Sequence, residues 1–168
     1  MSVEFCSLHN GTQWILTNIY APCTYDVKCA FLDWFKGIEM PDDINWIVLG
    51  DFNLIHSPED RNRPGADVVE ILLFNEVISE LNLIEIPLHS KKFTWSNKQS
   101  PPLLERLDWF FISPSWPSLF PNTLTSSLVI ETSYHSPCMI NISTSIPKGG
   151  IFRFENYWLG HRDFQKVV

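Results

Sequence analysis

Alternating and striped apolar positions divide the chain into strands and two helices. Two β-rich segments, residues 3–9 (VEFCSLH) and 13–20 (QWILTNIY), flank Asn10-Gly11. That dipeptide accepts positive φ at both turn positions cheaply, so the pair predicts a β-hairpin. Beyond a loop at Pro22, Phe31, Trp34, Phe35 and Ile38 recur with the spacing of one face of a short helix. Trp46 to Leu49 is a continuous apolar run that stops at Gly50. This is the pattern of a strand buried on both faces, with glycine where the backbone turns out. The charged, Pro- and Gly-containing stretch 56–66 (HSPEDRNRPGA) reads as a loop. Asp67 then caps a helix through Leu81, with Ile71, Phe74, Ile78 and Leu81 along its stripe.

The segments 91–97 (KKFTWSN), 104–113 (LERLDWFFIS), 123–130 (TLTSSLVI) and 137–143 (PCMINIS) read as further strands. The proline-bounded SPSWPSLFP between them is a turn-rich connection or a single helical turn. Strands with interspersed helices, and polar clusters at strand ends, point to an α+β or layered arrangement. From Pro147 a Gly-Gly break leads into an aromatic and basic segment, so 1–146 is expected as domain and 147–168 as a connection.

Composition narrows this picture. With 168 residues, 45% of them hydrophobic, the chain can bury one core and is short for two ordinary domains. No apolar window is long enough to span a membrane, and the opening MSVEFCSLHNGT does not resemble a signal peptide, so a soluble intracellular chain is expected. Cys6, Cys23, Cys29 and Cys138 form no C-x-x-C pair and have no closely spaced histidine, which predicts free, mostly buried thiols. A formal net charge of −7 opposes non-specific attraction to phosphate backbones, so any contact with nucleic acid must be local.

Several polar groupings could carry chemistry. In Gly50-Asp51-Phe52-Asn53 a carboxylate and an amide two residues apart can point the same way from an extended strand exit. They could activate water or hold a divalent cation, or simply close an Asx turn. Asp108 shares a strand face with Arg106 in an otherwise aromatic strand, and a buried carboxylate needs a partner. Arg106 could supply it locally, or His135 could do so across the sheet, its tautomer and charge then set by Asp108. Asn18 and Tyr20 could donate to a phosphate or merely pack. Trp95 with Asn97 could stack on a base and bond it, although a core tryptophan is the plainer alternative.

Taken in order, the motifs N-x-Y-x-P, G-D-F-N, F-T-W-S-N, R-L-D-W-F and S-x-H-S-P resemble the endonuclease/exonuclease/phosphatase superfamily, which includes DNase I and the apurinic/apyrimidinic endonucleases. More narrowly, GDFN, KKFTWSN and ERLDWFFIS resemble the endonuclease domain of plant LINE-type (non-LTR) retrotransposons, over nearly the whole chain. The resemblance implies a four-layered α/β/β/α sandwich and Mg²⁺-dependent hydrolysis of DNA phosphodiesters by in-line attack of water. Asp51 would then orient or deprotonate that water, Asn53 would help hold it, and Tyr20 would contact the scissile phosphate. Asp108 would support His135, which stabilises charge building on phosphorus.

Two departures qualify this. Tyr134 stands where the family pattern S-D-H-S-P has aspartate, and a phenol is neutral at physiological pH. The asparagine and the metal-ligating glutamate of the family's N-terminal part lie ahead of Met1, so an N-terminally truncated domain with no intact metal site is expected. Its turnover would be lost or strongly impaired, because such groups act as a unit. The alternative is a non-catalytic remnant that binds nucleic acid weakly or self-associates through an exposed sheet edge; a transposon relic without a selected role is a third reading. Residues 147–168 would lead toward a reverse transcriptase region.

Overall fold

A computed structural model describes residues 1–8, 10–40, 44–89, 91–128 and 133–142. The expected hairpin forms: β1 (Ser2–Cys6) pairs antiparallel with β2 (Gln13–Tyr20), Phe5 opposite Trp14. Helix α1 (Tyr25–Lys36) follows, then β3 (Asn45–Asp51) parallel to β2. A 3₁₀ turn at Pro58–Asp60 precedes α2 (Val68–Glu80), whose N-cap is Asp67; its carboxylate accepts from the Val69 and Glu70 amides. Next come the short strands β4 (Ile84–Glu85), β5 (Leu88–His89), β6 (Trp95–Ser96) and β7 (Leu104–Glu105), and then β8 (Asp108–Ile112). A single helical turn α3 (Trp116–Leu119), β9 (Leu124–Ser127) and β10 (Cys138–Asn141) complete the described elements.

The main sheet has five strands in the order β1-β2-β3-β8-β4, and a smaller sheet has the order β10-β9-β5. Period-two alternation in fully buried strands sends side chains into two cores. Trp46, Val48, Trp109 and Phe111 face Leu32, Phe35, Phe74 and Val77 of the helices. Ile47, Phe110 and Ile112 face Trp116, Phe120, Ile140 and the smaller sheet. The architecture is α+β, and the described residues build three of its layers, helices on sheet on sheet.

Some expectations need correction. Of the stripe expected for α1, Phe31, Phe35 and Ile38 pack on the core, but Leu32 joins them in place of Trp34, which is 56% exposed. The segment 104–113 is not one strand. It breaks at Arg106-Leu107, where the Arg106 amide donates to the Asp60 carbonyl and the Leu107 amide to Thr94 Oγ1. KKFTWSN contributes only Trp95–Ser96 as strand. The thiols are free, but none is buried; Cys6 and Cys23 are exposed. The expected connection 147–168 lies outside the described residues. No described helix is long and apolar enough to cross a membrane.

Gly50 is a position where glycine is required. Its φ is +135°, and a Cβ there would meet the Ile19 carbonyl oxygen at 2.1 Å and Asn18 Oδ1 at 2.8 Å. The absence of a side chain lets β3 pass close against β2 one residue before Asp51.

His56 sits in the helix-side core, its ring centroid 4.8 Å from Trp109, 5.1 Å from Phe74 and 5.7 Å from Phe111. Its Nε2 is buried with no hydrogen-bond partner. Burial pulls its pKa below the ordinary 6.5, reinforced by Arg106 and opposed by Glu85, Asp60 and Asn75. The unfolded chain thus binds this proton at a higher pH than the native chain does, and stability falls as pH drops through 6.5 toward the native pKa. His135 has the opposite sign, its pKa being raised, so its contribution is lost only as pH rises. We expect urea denaturation at pH 7.5 and pH 5.5 to show a larger acid loss for the wild type than for His56→Phe; equal losses would assign the acid sensitivity elsewhere.

Candidate active site

Strand register gathers residues that are distant in sequence. Asp51 is the Cα partner of Tyr20 in β2 and of Asp108 in β8, so the three stand in one row across the end of the main sheet. Two carboxylates directly opposite one another repel. His135 stands between them, Nδ1 3.0 Å from Asp108 Oδ2 and Nε2 3.5 Å from Asp51 Oδ2. Of the two partners left open for Asp108, the structure selects the histidine. Arg106 instead pairs with Glu85 at 2.6 Å and lies over the Trp109 ring at 4.0 Å.

The electrostatics follow from this placement. The hydrogen bond to Asp108, assisted by Asp51, raises the pKa of His135 and favours imidazolium. Burial raises the Asp51 pKa, with the Asp108 charge adding to it and the Asn53 amide and His135 opposing it. Cys138, half-buried near Asp108, is pushed up to about 11, which keeps it a neutral thiol.

Asn53 adopts a positive φ of 49° and donates its amide to Asp51 Oδ1 at 3.0 Å, so the Asx turn is present. It coexists with an inward-facing amide: Asn53 Nδ2 donates to the Ala21 carbonyl at 2.7 Å and reaches Asp51 Oδ2 at 3.5 Å. A cavity of about 390 Å³ is lined by Tyr20, Asp51, Asn53, Trp95 and His135, together with Cys23, Lys28, Glu105 and Leu107. Asn18 and Asn97 do not line it. Asn97 Oδ1 accepts from the Gln99 and Leu103 amides and holds the 97–103 loop. Tyr134, 59% exposed, lines a neighbouring cavity instead.

Sequence reasoning missed Lys28, Glu105 and Thr94. Lys28 pairs with Glu70 at 2.7 Å, and Arg61 with Glu105 at 2.8 Å, both long-range pairs with no local signature. Thr94 is 1% exposed, and its Oγ1 accepts from the Leu107 and Asp108 amides at 3.0 and 3.1 Å. Its carbonyl accepts from the Ser136 amide at 2.7 Å. One residue thus ties the Asp108 strand to the His135 segment. Thr94→Val keeps the shape but strands two donors, and is expected to cost about 1–3 kcal/mol in urea denaturation. An unchanged midpoint would show that the segments are aligned by other contacts.

Asp51, Asp108 and His135 bring one potential metal-ligating atom each within 4.8 Å of one another. Among them, Asp51 offers carboxylate oxygens, the donor type a hard cation takes, opposite a second carboxylate whose repulsion a cation would relieve. Asp108 is engaged by the imidazole.

The fold matches solved structures. The chain is similar to the endonuclease domain of TRAS1, a telomere-specific non-LTR retrotransposon, with 15% identity and a TM-score of 0.63. The match covers 86% of this chain and 64% of that one, so the chain spans less than two thirds of that domain. It is also similar to the AP endonuclease LMAP from Leishmania major, with 15% identity and a TM-score of 0.59 over 85% of this chain and 54% of that one. A third match is the 3′ phosphatase NExo from Neisseria, bound to a product DNA hairpin, with 16% identity and a TM-score of 0.56 over 80% of this chain and 62% of that one. No family model and no curated protein matches the chain.

Proposed function

Because the chain has the DNase I-like fold of the endonuclease/exonuclease/phosphatase proteins, we propose that it carries the aspartate–histidine part of a Mg²⁺-dependent DNA phosphodiesterase centre of the LINE-retrotransposon type. The observation that carries this reading is His135 held by Asp108 and facing Asp51 across one cavity. Imidazolium held there can donate to a phosphate oxygen as charge builds on it. Asp51, with its proton affinity raised, can accept a proton from an attacking water held also by Asn53. Tyr20, at the row's outer end, would contact the scissile phosphate from the other side of Asp51. Mg²⁺ at Asp51 would supply neutralisation of the phosphate charge.

The distribution of cations supports a DNA substrate despite the acidic net charge. Among the described residues Lys28, Arg61, Arg63, Lys91, Lys92 and Lys98 all line the catalytic cavity or cavities sharing a lining residue with it or the next. Of these, Lys28 and Arg61 are paired with Glu70 and Glu105, while the two remaining described cations, Lys36 and Arg106, are ion-paired elsewhere. Turnover is strongly impaired in this reading, since Tyr134 brings no carboxylate to the site.

Plasmid nicking with Mg²⁺ against EDTA, at high protein concentration, tests the proposal. Slow Mg²⁺-dependent nicking supports it. No nicking, with a cooperative melt indifferent to Mg²⁺, would favour the second reading, a non-catalytic module. One observation speaks for that module: β1, at the sheet edge, is exposed at all five residues, including Val3 and Phe5. Such an edge can pair with another chain, which sedimentation velocity would detect.

A further inference from the structure

Beside the catalytic cavity lies a second one of about 370 Å³, between β6 and the Ser133–Ser136 segment. Trp95 lines both, so they adjoin. Among the described residues its lining includes Lys91, Lys92 and Lys98 with the rings of Phe93, Trp95 and Tyr134, and no carboxylate, although Glu59 is near enough to Lys92 for their charges to interact. In a chain of formal charge −7 that is a local reversal of sign. The lysines are also positioned: Lys91 Nζ is 3.1 Å from Ser136 Oγ, Lys92 Nζ lies 5.5 Å from the Phe93 ring centroid and Lys98 Nζ 5.4 Å from that of Tyr134. Tyr134 itself is 59% exposed although its backbone is fixed, its carbonyl accepting from the Ser96 amide at 3.0 Å.

Cations interleaved with open aromatic faces are how proteins hold unpaired nucleotides, phosphates on the cations and bases on the rings. A duplex hides its base faces and could use only the lysines. We propose that this cavity binds a single-stranded DNA segment next to the catalytic cavity, with a base stacked on Tyr134 and the flanking phosphates on Lys92 and Lys98. The inference rests on the DNA reading of the adjoining site, and it gives Tyr134 a use there: the phenol absent from the hydrolytic cluster becomes a stacking platform.

The test is fluorescence-anisotropy binding of a labelled 12-mer oligo(dT) in EDTA, where no hydrolysis occurs, so that a failed nuclease reading and a failed binding reading separate. Lys92, Lys98 and Tyr134 are exposed, and near-UV circular dichroism verifies that variants fold. Tyr134→Ala is expected to weaken oligo(dT) binding by about tenfold, and Lys92→Ala with Lys98→Ala to lower the salt slope by about 1.4. A 5-iododeoxyuridine oligonucleotide is expected to crosslink at Tyr134 or Trp95. Binding unaffected by these variants, equal competition by a duplex of the same length, or crosslinks confined to Tyr20 would each overturn the proposal.

Discussion

Asp51→Ala is expected to reduce Mg²⁺-dependent plasmid nicking to the EDTA background, a loss of at least about a hundredfold. The substitution removes the carboxylate that faces His135 at 3.5 Å and stands opposite Asp108 in the sheet. It also removes the acceptor of the Asn53 amide, so it alone cannot separate chemistry from turn geometry. Asp51→Asn separates them, because the amide oxygen can still close the Asx turn while the charge and the proton acceptor are lost. If the role is chemical, both variants are inactive; an active Asp51→Asn would reduce Asp51 to a turn residue. Nicking that survives Asp51→Ala belongs to a contaminant and would remove the functional proposal.

Phe52→Ala is expected to be the most destabilising substitution near the site, about 3–5 kcal/mol in urea denaturation. Phe52 is fully buried and its ring packs against Phe31, Phe35, Phe74 and Phe111, with centroids 6.4, 5.8, 5.4 and 5.5 Å away. Against a typical domain stability of about 5–15 kcal/mol this is a large fraction. The residue also joins fold to function. Its amide donates to the Leu107 carbonyl at 2.9 Å, and Asp51 and Asn53 flank it, so its anchoring fixes where both polar side chains point. A cost below about 1 kcal/mol would mean that the aromatic cluster collapses into the space and does not hold the strand exit.

The alignment of expectation with structure is best where the determinants are local. The β1–β2 hairpin forms, although among the described residues only Gly11 of the Asn10-Gly11 pair takes positive φ and the loop runs from Ser7 to Thr12; Asp67 caps α2 through its own carboxylate, and the Trp46–Leu49 run forms a strand buried on both faces. Each of these depends on groups a few residues apart. The helix stripe on α1 was placed less well because Trp34 is apolar yet faces outward, and periodicity alone cannot distinguish an apolar residue that is buried from one that is not.

The site divides in the same way. The sequence by itself determined which residue types stand at strand ends: Asp51 and Asn53 after a glycine exit, Asp108 at the head of an aromatic strand, and a histidine 27 positions beyond it. It also determined the motif order from which the fold was expected. Only the tertiary structure decided that Asp108 takes His135 while Arg106 takes Glu85, that Thr94 holds the two site segments together, and that Tyr134 turns into the neighbouring cavity. The physical reason is register. Period and capping act within one turn or one strand, whereas the row Tyr20–Asp51–Asp108 exists because two cores on opposite faces of the sheet lock β2, β3 and β8 against sliding.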